Sequence, residues 1–291
     1  MKGKKVCVIG VMICALFFGS LPVHGYSFLT CFHFEERGFL RAIEAARIYE
    51  IDGRILGAAV PHFLPVMSFT ASLLKTVAAQ EEESGQKIET VFLFGPNHSG
   101  EGLPIILTDH GWLTPFGPIK PDLDAVMAIE AAGGLGVRLN TDIIHLEQDH
   151  ALATLVPFIK YYLPNVRVVT IMFSRGFGLR ELLTLAEIIY GISQSRNVLL
   201  LASVDFSHYL DINETPLRDA FTDKIIRSYN FEVLKGLDSG YLDSPESMIL
   251  LMAYALNFTH EILLLDSIIM PESDILYNIG YSYHVYAFVL R

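Results

Sequence analysis

Three of the ten histidines follow short apolar runs and stand in turn-like sequences. They are His62 after Ile55–Val60, His98 after Thr90–Phe94 and His208 after Val198–Ala202. A single histidine at a strand end is usually structural, but three in equivalent positions favour a functional site. Neutral imidazoles held by rigid strand ends are good ligands for a divalent transition metal. These histidines therefore predict a metal site.

Such a site needs a further ligand, and a carboxylate joins two imidazoles in the facial triad of non-haem Fe(II) proteins. Asp243 and Glu246 both lie where a helix is expected to begin, because Ser244 is a good N-cap and Pro245 suits the first helical turn. Either acid is a candidate third ligand. The alternative is that both only stabilise the positive end of the helix dipole.

Two further residues complete the set of candidates. Asp205 precedes His208 by three positions and is expected to orient its imidazole through a ring N–H. His150 begins another predicted helix. We interpret His208, Asp205 and His150 as candidate acid–base or positioning groups.

The stretches between these motifs alternate between the patterns of buried strands and of helices. Strands are predicted for Ile55–Val60, Thr90–Phe94, Val166–Phe173, Val198–Ala202, Ile262–Ile269 and Ser282–Leu290. Helices are predicted for Val66–Gln80, Asp122–Ala132, Gln148–Tyr162, Leu179–Gln194, Pro216–Asn230 and Ser247–Asn257. This alternation predicts a single α/β domain with a mostly parallel central sheet flanked by helices. Ligands of such sheets bind beyond the carboxyl ends of the strands, where the three histidines lie.

Composition excludes several classes of protein. With 52% hydrophobic and 18% charged residues, the 291-residue chain is not a disordered protein. A net charge of -11 disfavours nucleic acids and anionic membranes as partners. Three cysteines are too few for a disulfide-rich scaffold. The motifs of serine hydrolases, P-loop proteins, dinucleotide-binding proteins and zinc proteases are missing from the sequence.

Residues 1–25 have the pattern of a targeting segment. Lys2, Lys4 and Lys5 precede the apolar stretch Val6–Phe18, and a small residue, Gly25, stands at a plausible cleavage point. This pattern predicts a signal peptide or an uncleaved N-terminal anchor, followed by one domain over residues 26–291. We therefore expect export to the periplasm or the cell exterior, with membrane contact only through an uncleaved N-terminal segment.

The motifs resemble those of the Memo family, the B component of the AmmeMemoRadiSam system. The matching pieces are Pro61-His62, Gly95-Pro96-Asn97-His98, Asp149-His150 with Pro157-Phe158, Ser203-Val204-Asp205-Phe206-Ser207-His208 and Gly280-Tyr281-Ser282-Tyr283. They run in order through roughly residues 55–290. The family is similar to the class III extradiol ring-cleavage dioxygenases, so the resemblance implies their αβ fold with one central sheet and a related pocket.

The resemblance also implies roles for the candidate residues. His62 and His98 match metal-ligand histidines, and His208 matches the histidine beside the metal, with Asp205 as its partner. His150 matches the histidine of the family's E-H-S-I-E segment.

Two departures from the family pattern affect the expected chemistry. The family often has a cysteine, in a C-G-x-x-P pattern, as the third ligand, but the corresponding stretch here is Asp243-Ser244-Pro245-Glu246. An oxygen ligand in place of a thiolate shifts the preference from copper towards iron or manganese. In addition, Ala153 and Leu155 stand where a glutamate and a second histidine are expected.

The leading hypothesis is a non-haem metal protein that holds Fe(II) by two histidines and a carboxylate and has redox or dioxygenase-like activity. Zinc, copper and manganese remain open as the metal. One alternative is a non-catalytic protein that binds a peptide, a small ligand or a metal. Another is metal-dependent hydrolysis, because the same ligands suit zinc and an activated water.

Overall fold

A computed structural model describes residues 25–271 and 278–291. The predicted targeting segment lies outside the described residues except for Gly25, and residues 272–277 lie outside them as well. Among the described helices, none has the length and apolar character needed to cross a membrane.

The described residues form two β-sheets. The strands are β1 (Phe28–Thr30), β2 (Arg54–Val60), β3 (Thr90–Pro96), β4 (Ile105–Thr108), β5 (Gly111–Thr114), β6 (Gly117–Ile119), β7 (Arg167–Phe173), β8 (Val198–Ser203), β9 (Leu210–Asp211), β10 (Ile262–Pro271) and β11 (Ile279–Leu290). The central sheet has the order β10-β11-β2-β8-β3-β7-β4, and β9 pairs with β11. A smaller sheet has the order β1-β5-β6.

The centre of the large sheet is parallel, and its two edges are antiparallel. Strands β2, β8, β3 and β7 pair in parallel, whereas β4 and the β10–β11 hairpin pair antiparallel. The predicted α/β architecture with a central sheet flanked by helices is therefore confirmed, and its predicted parallel direction holds for the four central strands but not for the edge strands. Strand β8 lies between β2 and β3, so the three strands that precede the candidate histidines are neighbours.

Helices cover both faces of the central sheet. They are α1 (Glu36–Ala45), α2 (Ser68–Ser84), α3 (Leu123–Ala131), α4 (Ile143–Gln148), α5 (His150–Ala153), α6 (Val156–Tyr162), α7 (Leu179–Ser193), α8 (Thr215–Arg227), α9 (Phe231–Lys235) and α10 (Pro245–Ala255), with a 3₁₀ turn at Leu64–Val66. One apolar core lies under α3, α7 and α10, and the other lies under α1, α2 and α6. The central strands are buried on both faces, because Phe92 and Phe94 enter the first core while Val91 and Leu93 enter the second. This arrangement explains their uninterrupted apolar sequences.

One predicted helix is wrong. Residues Gln148–Tyr162 do not form a continuous helix. Asp149 is extended, and helix α5 ends at Ala153 before α6 begins at Val156. Pro157 has no N–H to donate to the carbonyl of Ala153, four residues earlier, so the regular hydrogen bonding stops there. The other predicted elements are present, with ends shifted by a few residues. Strands β1, β4, β5, β6 and β9 and helices α1, α4 and α9 were not predicted.

Candidate metal centre

His62 follows β2 at the carboxyl end of the sheet and is only 2% exposed. Its Nδ1 lies 2.9 Å from Ser203 Oγ, and that hydroxyl donates its proton to Ala151 O at 2.6 Å. Because the single hydroxyl proton is already used, Ser203 must accept the proton of His62 Nδ1. The other ring nitrogen, Nε2, therefore carries a free lone pair and is ready to bind a metal.

His98 follows β3 and is oriented by Asp149. The His98 ring donates from Nδ1 to Asp149 Oδ1 at 2.8 Å, and its backbone N–H donates to Asp149 Oδ2 at 2.8 Å. Asp149 also accepts from Ala151 N as the N-cap of α5. This carboxylate–histidine contact leaves His98 Nε2 directed at Asp243 Oδ2, 3.8 Å away.

Asp243 lies just before α10, which begins at Pro245 with Ser244 as its N-cap, as predicted. Its backbone N–H donates to Asp205 O at 3.0 Å, and its Oδ1 accepts from Asp205 N at 3.2 Å. The remaining oxygen, Oδ2, is buried and has no hydrogen-bond partner among the described residues. This oxygen lies 3.3 Å from His62 Nε2.

Asp205 contacts His62 rather than the histidine it was predicted to orient. Its Oδ1 accepts from His62 N at 3.0 Å, and its Oδ2 lies 3.5 Å from His62 Nε2. The interpretation of Asp205 as the group that orients His208 is not supported by these contacts. Strand β8 lies beside β2, so the Asp205 carboxylate meets the residue that follows the neighbouring strand.

Glu246, the other candidate third ligand, is only 2% exposed and forms an ion pair with Lys235. Its Oε1 accepts from Lys235 Nζ at 2.8 Å. Glu246 lies in the first turn of α10, where a carboxylate also interacts favourably with the helix dipole. Of the two acids, Asp243 is therefore the one whose carboxylate oxygen faces the histidines.

The other two candidate histidines, His150 and His208, flank the group formed by His62, His98 and Asp243. The His150 ring stacks on the His98 ring, with centroids 4.5 Å apart, and its side chain is 47% exposed. The His208 ring contacts the Tyr281 ring edge-on at 5.7 Å. His208 Nδ1 is buried without a hydrogen-bond partner in the part of the chain that the structure describes.

Burial and charge give the two central histidines opposite protonation states. Burial lowers the pKa of His62 to about 3, so its ring is neutral at pH 7. Burial also disfavours the charged form of His98, but the carboxylates of Asp149 and Asp243 outweigh it and raise the His98 pKa to about 10. Burial and the charge of Asp243 raise the pKa of Asp205 well above its ordinary value.

These residues form two overlapping sets of potential metal ligands. The ligand atoms of His62, His98 and His150 lie within 4.8 Å of one another, as do those of His62, Asp205 and Asp243. A divalent cation beside the buried Asp243 Oδ2 would replace its ion pair with the charged His98 ring, whose Nε2 lies 3.8 Å away, and would interact with the oxygen directly. The donor set of imidazole nitrogens and carboxylate oxygens fits a divalent transition metal.

A cavity of about 450 Å³ opens beside His98 and Asp243. Its lining includes Asn97, Arg175 and Glu246. The cavity has enough room for a small organic molecule. The arrangement can thus hold a metal at the wall of a ligand-sized space.

Three residues with structural roles in the site were not recognised from the sequence. Asp149 was predicted only as part of the Asp149-His150 motif, although an acid directly before a helix is an N-cap signal. Ser203 gives no local signal of its contact with His62, because that contact depends on strand pairing. Lys235 pairs with Glu246 across eleven residues, and nothing in the sequence pattern indicates it.

Comparisons with known proteins identify relatives of this chain. The family model described as "Memo-like protein" matches residues 52–246. A MEMO1 family protein of Methanosarcina acetivorans is 30% identical over 188 residues, which cover 60% of this chain and 61% of that protein. The MEMO1 family protein PH1626 of Pyrococcus horikoshii is 35% identical over 162 residues, which cover 53% of each protein. The chain thus spans between about half and three fifths of the length of these curated relatives.

Among solved structures, the crystal structure of an uncharacterized protein, JW3007, from Escherichia coli K12 matches with a TM-score of 0.49 and 10% identity. The match covers 79% of this chain and 99% of that one.

The family model covers well over half of the chain and includes His62, His98, Asp205 and Asp243. The chain therefore belongs to the Memo-like protein family.

Proposed function

We propose that the protein is a non-haem metalloprotein in which His62, His98 and Asp243 bind Fe(II). The observation that carries this proposal is the buried Asp243 Oδ2, which lacks a hydrogen-bond partner within the described residues and lies 3.3 Å from an unprotonated imidazole nitrogen. Two imidazoles and one carboxylate suit iron and leave further coordination positions open. Asp205 is near enough to add a second carboxylate oxygen.

The reaction we propose is O₂-dependent oxidation of an aromatic diol, as in the ring-cleavage dioxygenases that the family resembles. Bound Fe(II) would supply the open positions at which a diol oxygen and O₂ meet. Phe63, which follows His62 in the chain, stacks its ring on the Tyr283 ring with centroids 5.0 Å apart. Burial and the nearby charge of Asp205 raise the pKa of Tyr283, which keeps that phenol neutral.

His208 would act on the proton of the substrate hydroxyl. Its Nδ1 is buried and makes no hydrogen bond to the described residues, and histidine is the side chain that most often serves in general acid–base catalysis. The stacked pair of His98 and His150 would close the opposite side of the site, with the partly exposed His150 at its mouth.

Metal analysis of the full chain, purified without oxygen, tests the metal site. We expect about one iron per chain in the wild type and none in the His62→Ala/His98→Ala double variant. A His110→Ala variant is the matched control, because the His110 ring hydrogen-bonds to Thr108 and Asp109 in the β4–β5 turn and belongs to neither set of potential metal ligands. Full metal occupancy that survives the double substitution would refute the proposal.

Oxygen uptake with catechol-type substrates tests the reaction. Turnover by the iron-loaded wild type, and its loss in His208→Ala with iron retained, would support the dioxygenase-like assignment. Tight zinc with hydrolytic activity would support a metal-dependent hydrolase instead. A bound metal without turnover of either kind would support a metal-binding or ligand-binding protein.

We further propose that the domain acts outside the cytoplasm. The proposal rests on Lys2, Lys4 and Lys5 before the apolar stretch Val6–Phe18. Cell fractionation with N-terminal sequencing tests it. A protein that stays in the cytoplasmic fraction with Met1 intact would contradict it.

A further inference from the structure

A short segment ahead of the family-matched residues contacts the part of the chain that carries Asp149 and His150. Residues Thr30–His33, at the end of β1 and just beyond it, make three hydrogen bonds to residues 147–153. They are Thr30 N to Glu147 Oε1 at 2.6 Å, His33 Nε2 to Gln148 O at 2.8 Å and Cys31 Sγ to Ala153 O at 3.0 Å.

Two of these contacts satisfy carbonyls that the broken helix leaves without regular partners. Helix α4 ends at Gln148, so the carbonyl of Gln148 is one of its terminal acceptors. The carbonyl of Ala153 would pair with the N–H of residue 157 in a continuous helix, but Pro157 has none. Burial raises the pKa of Cys31 to about 12, so its thiol stays protonated and able to donate to Ala153 O.

The same break in the helix orients both histidine ligands. Asp149, extended between α4 and α5, accepts from His98 Nδ1. Ala151 O, in α5, accepts from Ser203 Oγ, the hydroxyl that accepts from His62 Nδ1. The orientation of Nε2 in both His62 and His98 therefore depends on residues 149–151.

We propose that Thr30–His33 is a positioning element of the metal centre, holding residues 147–153 in the broken-helix geometry that orients His62 and His98. The inference rests on the metal site proposed above. The half-buried His33 also contacts the His150 ring edge-on, with centroids 6.1 Å apart. The segment acts through these contacts and is not itself a metal ligand.

The test compares variants that remove or keep the two side-chain donors. In His33→Ala/Cys31→Ala both donors are lost, whereas His33→Gln/Cys31→Ser keeps an N–H and an O–H in similar places. His110→Ala serves again as the histidine control. Two readouts are measured on full-length protein: the affinity and visible spectrum of bound Co(II), and amide hydrogen exchange of the metal-free protein.

We expect the Ala/Ala variant to bind Co(II) about tenfold more weakly, with an altered spectrum, as for other groups that orient metal ligands. Exchange should accelerate in residues 147–153, and Gln/Ser should restore both readouts to within about twofold of the wild type. Should Ala/Ala fail to fold, His33→Ala alone should give the same changes at smaller size. Wild-type affinity, spectrum and exchange in either Ala variant would overturn the inference.

Failure of the proposed metal site gives a different pattern. If the wild type binds no Co(II), the metal proposal fails, and hydrogen exchange then decides the positioning role. Faster exchange confined to residues 147–153 would support that role, and unchanged exchange would overturn it.

Discussion

Asp243 Oδ2 and His62 Nε2 lie 3.3 Å apart with no hydrogen bond between them. The nitrogen has no proton to offer, because Ser203 Oγ donates to Ala151 O and therefore accepts from His62 Nδ1. A carboxylate oxygen and an imidazole lone pair repel each other unless a proton or a cation lies between them. The fold thus maintains a contact that a bound metal would turn from unfavourable to favourable.

Replacing Asp243 by asparagine should remove metal binding while the protein stays folded. Asparagine keeps an oxygen for the N–H of Asp205 but offers no charged ligand, so Co(II) affinity should fall by about 100-fold or more. A Co(II) titration followed by absorbance measures the change. Glu246→Gln is the matched control and should bind Co(II) like the wild type. Loss of Co(II) binding in Glu246→Gln, with binding retained in Asp243→Asn, would identify Glu246 as the third ligand.

Replacing Ser203 by alanine should weaken metal binding through His62. Without the acceptor hydroxyl, the ring proton is free to move to Nε2 and compete with the metal, so affinity should fall about 10- to 100-fold. The carbonyl of Ala151 also loses its partner, which should cost about 1–3 kcal/mol of folding stability. Thermal denaturation and a Co(II) titration measure the two effects. Ser84 is exposed and hydrogen-bonds to Gln80 O and Gln86 N at the end of α2, so Ser84→Ala should leave the Co(II) affinity unchanged. An unaltered Co(II) affinity in Ser203→Ala would contradict the assigned tautomer.

The sequence pattern was sufficient to predict which end of the sheet carries the three candidate histidines. Buried strand patterns followed by His62, His98 and His208 indicated the carboxyl edge of a sheet, and the described strands confirm that edge. The Ser244 cap of α10 was equally predictable, because N-capping depends only on neighbouring residues.

The partners of each side chain were not predictable. Asp205 was assigned to His208 from a spacing of three residues, but it contacts His62 because β8 lies beside β2. Strand order depends on contacts between residues far apart in the chain, and local periodicity carries no information about them. Glu246 likewise has a partner that the local pattern does not indicate, because its ion pair with Lys235 is a tertiary contact.

Metal affinity should rise with pH across the neutral range. The raised pKa of about 10 means that His98 holds a proton on Nε2 at pH 7 in the metal-free protein, and a metal must displace it. Calorimetry in buffers of different ionisation enthalpy should therefore detect about one proton released per metal at pH 7. His98→Gln should abolish this release. Metal binding by the wild type without any proton release would contradict the assigned protonation state.

The raised pKa of His98 also makes the stability of the metal-free protein fall as pH rises. Because the folded pKa of His98 exceeds that of an unfolded histidine, its stabilising contribution is complete below about pH 6.5 and is lost as pH rises through about 10. The melting temperature of the wild type should accordingly fall relative to that of His98→Gln over this range. A constant difference between the two melting curves would contradict the shift.

Removing the positive partner of Glu246 should destabilise the fold without removing the metal ligands. Lys235 Nζ lies 2.8 Å from Glu246 Oε1, and these side chains are 20% and 2% exposed. Lys235→Met leaves a buried carboxylate without its partner and should cost about 3 kcal/mol. Lys235→Met/Glu246→Gln removes both charges and should recover most of that loss, whereas the exposed Lys224→Met should cost little. Denaturant unfolding measures these differences. Equal stability of Lys235→Met and Lys224→Met would contradict a stabilising ion pair between Lys235 and Glu246.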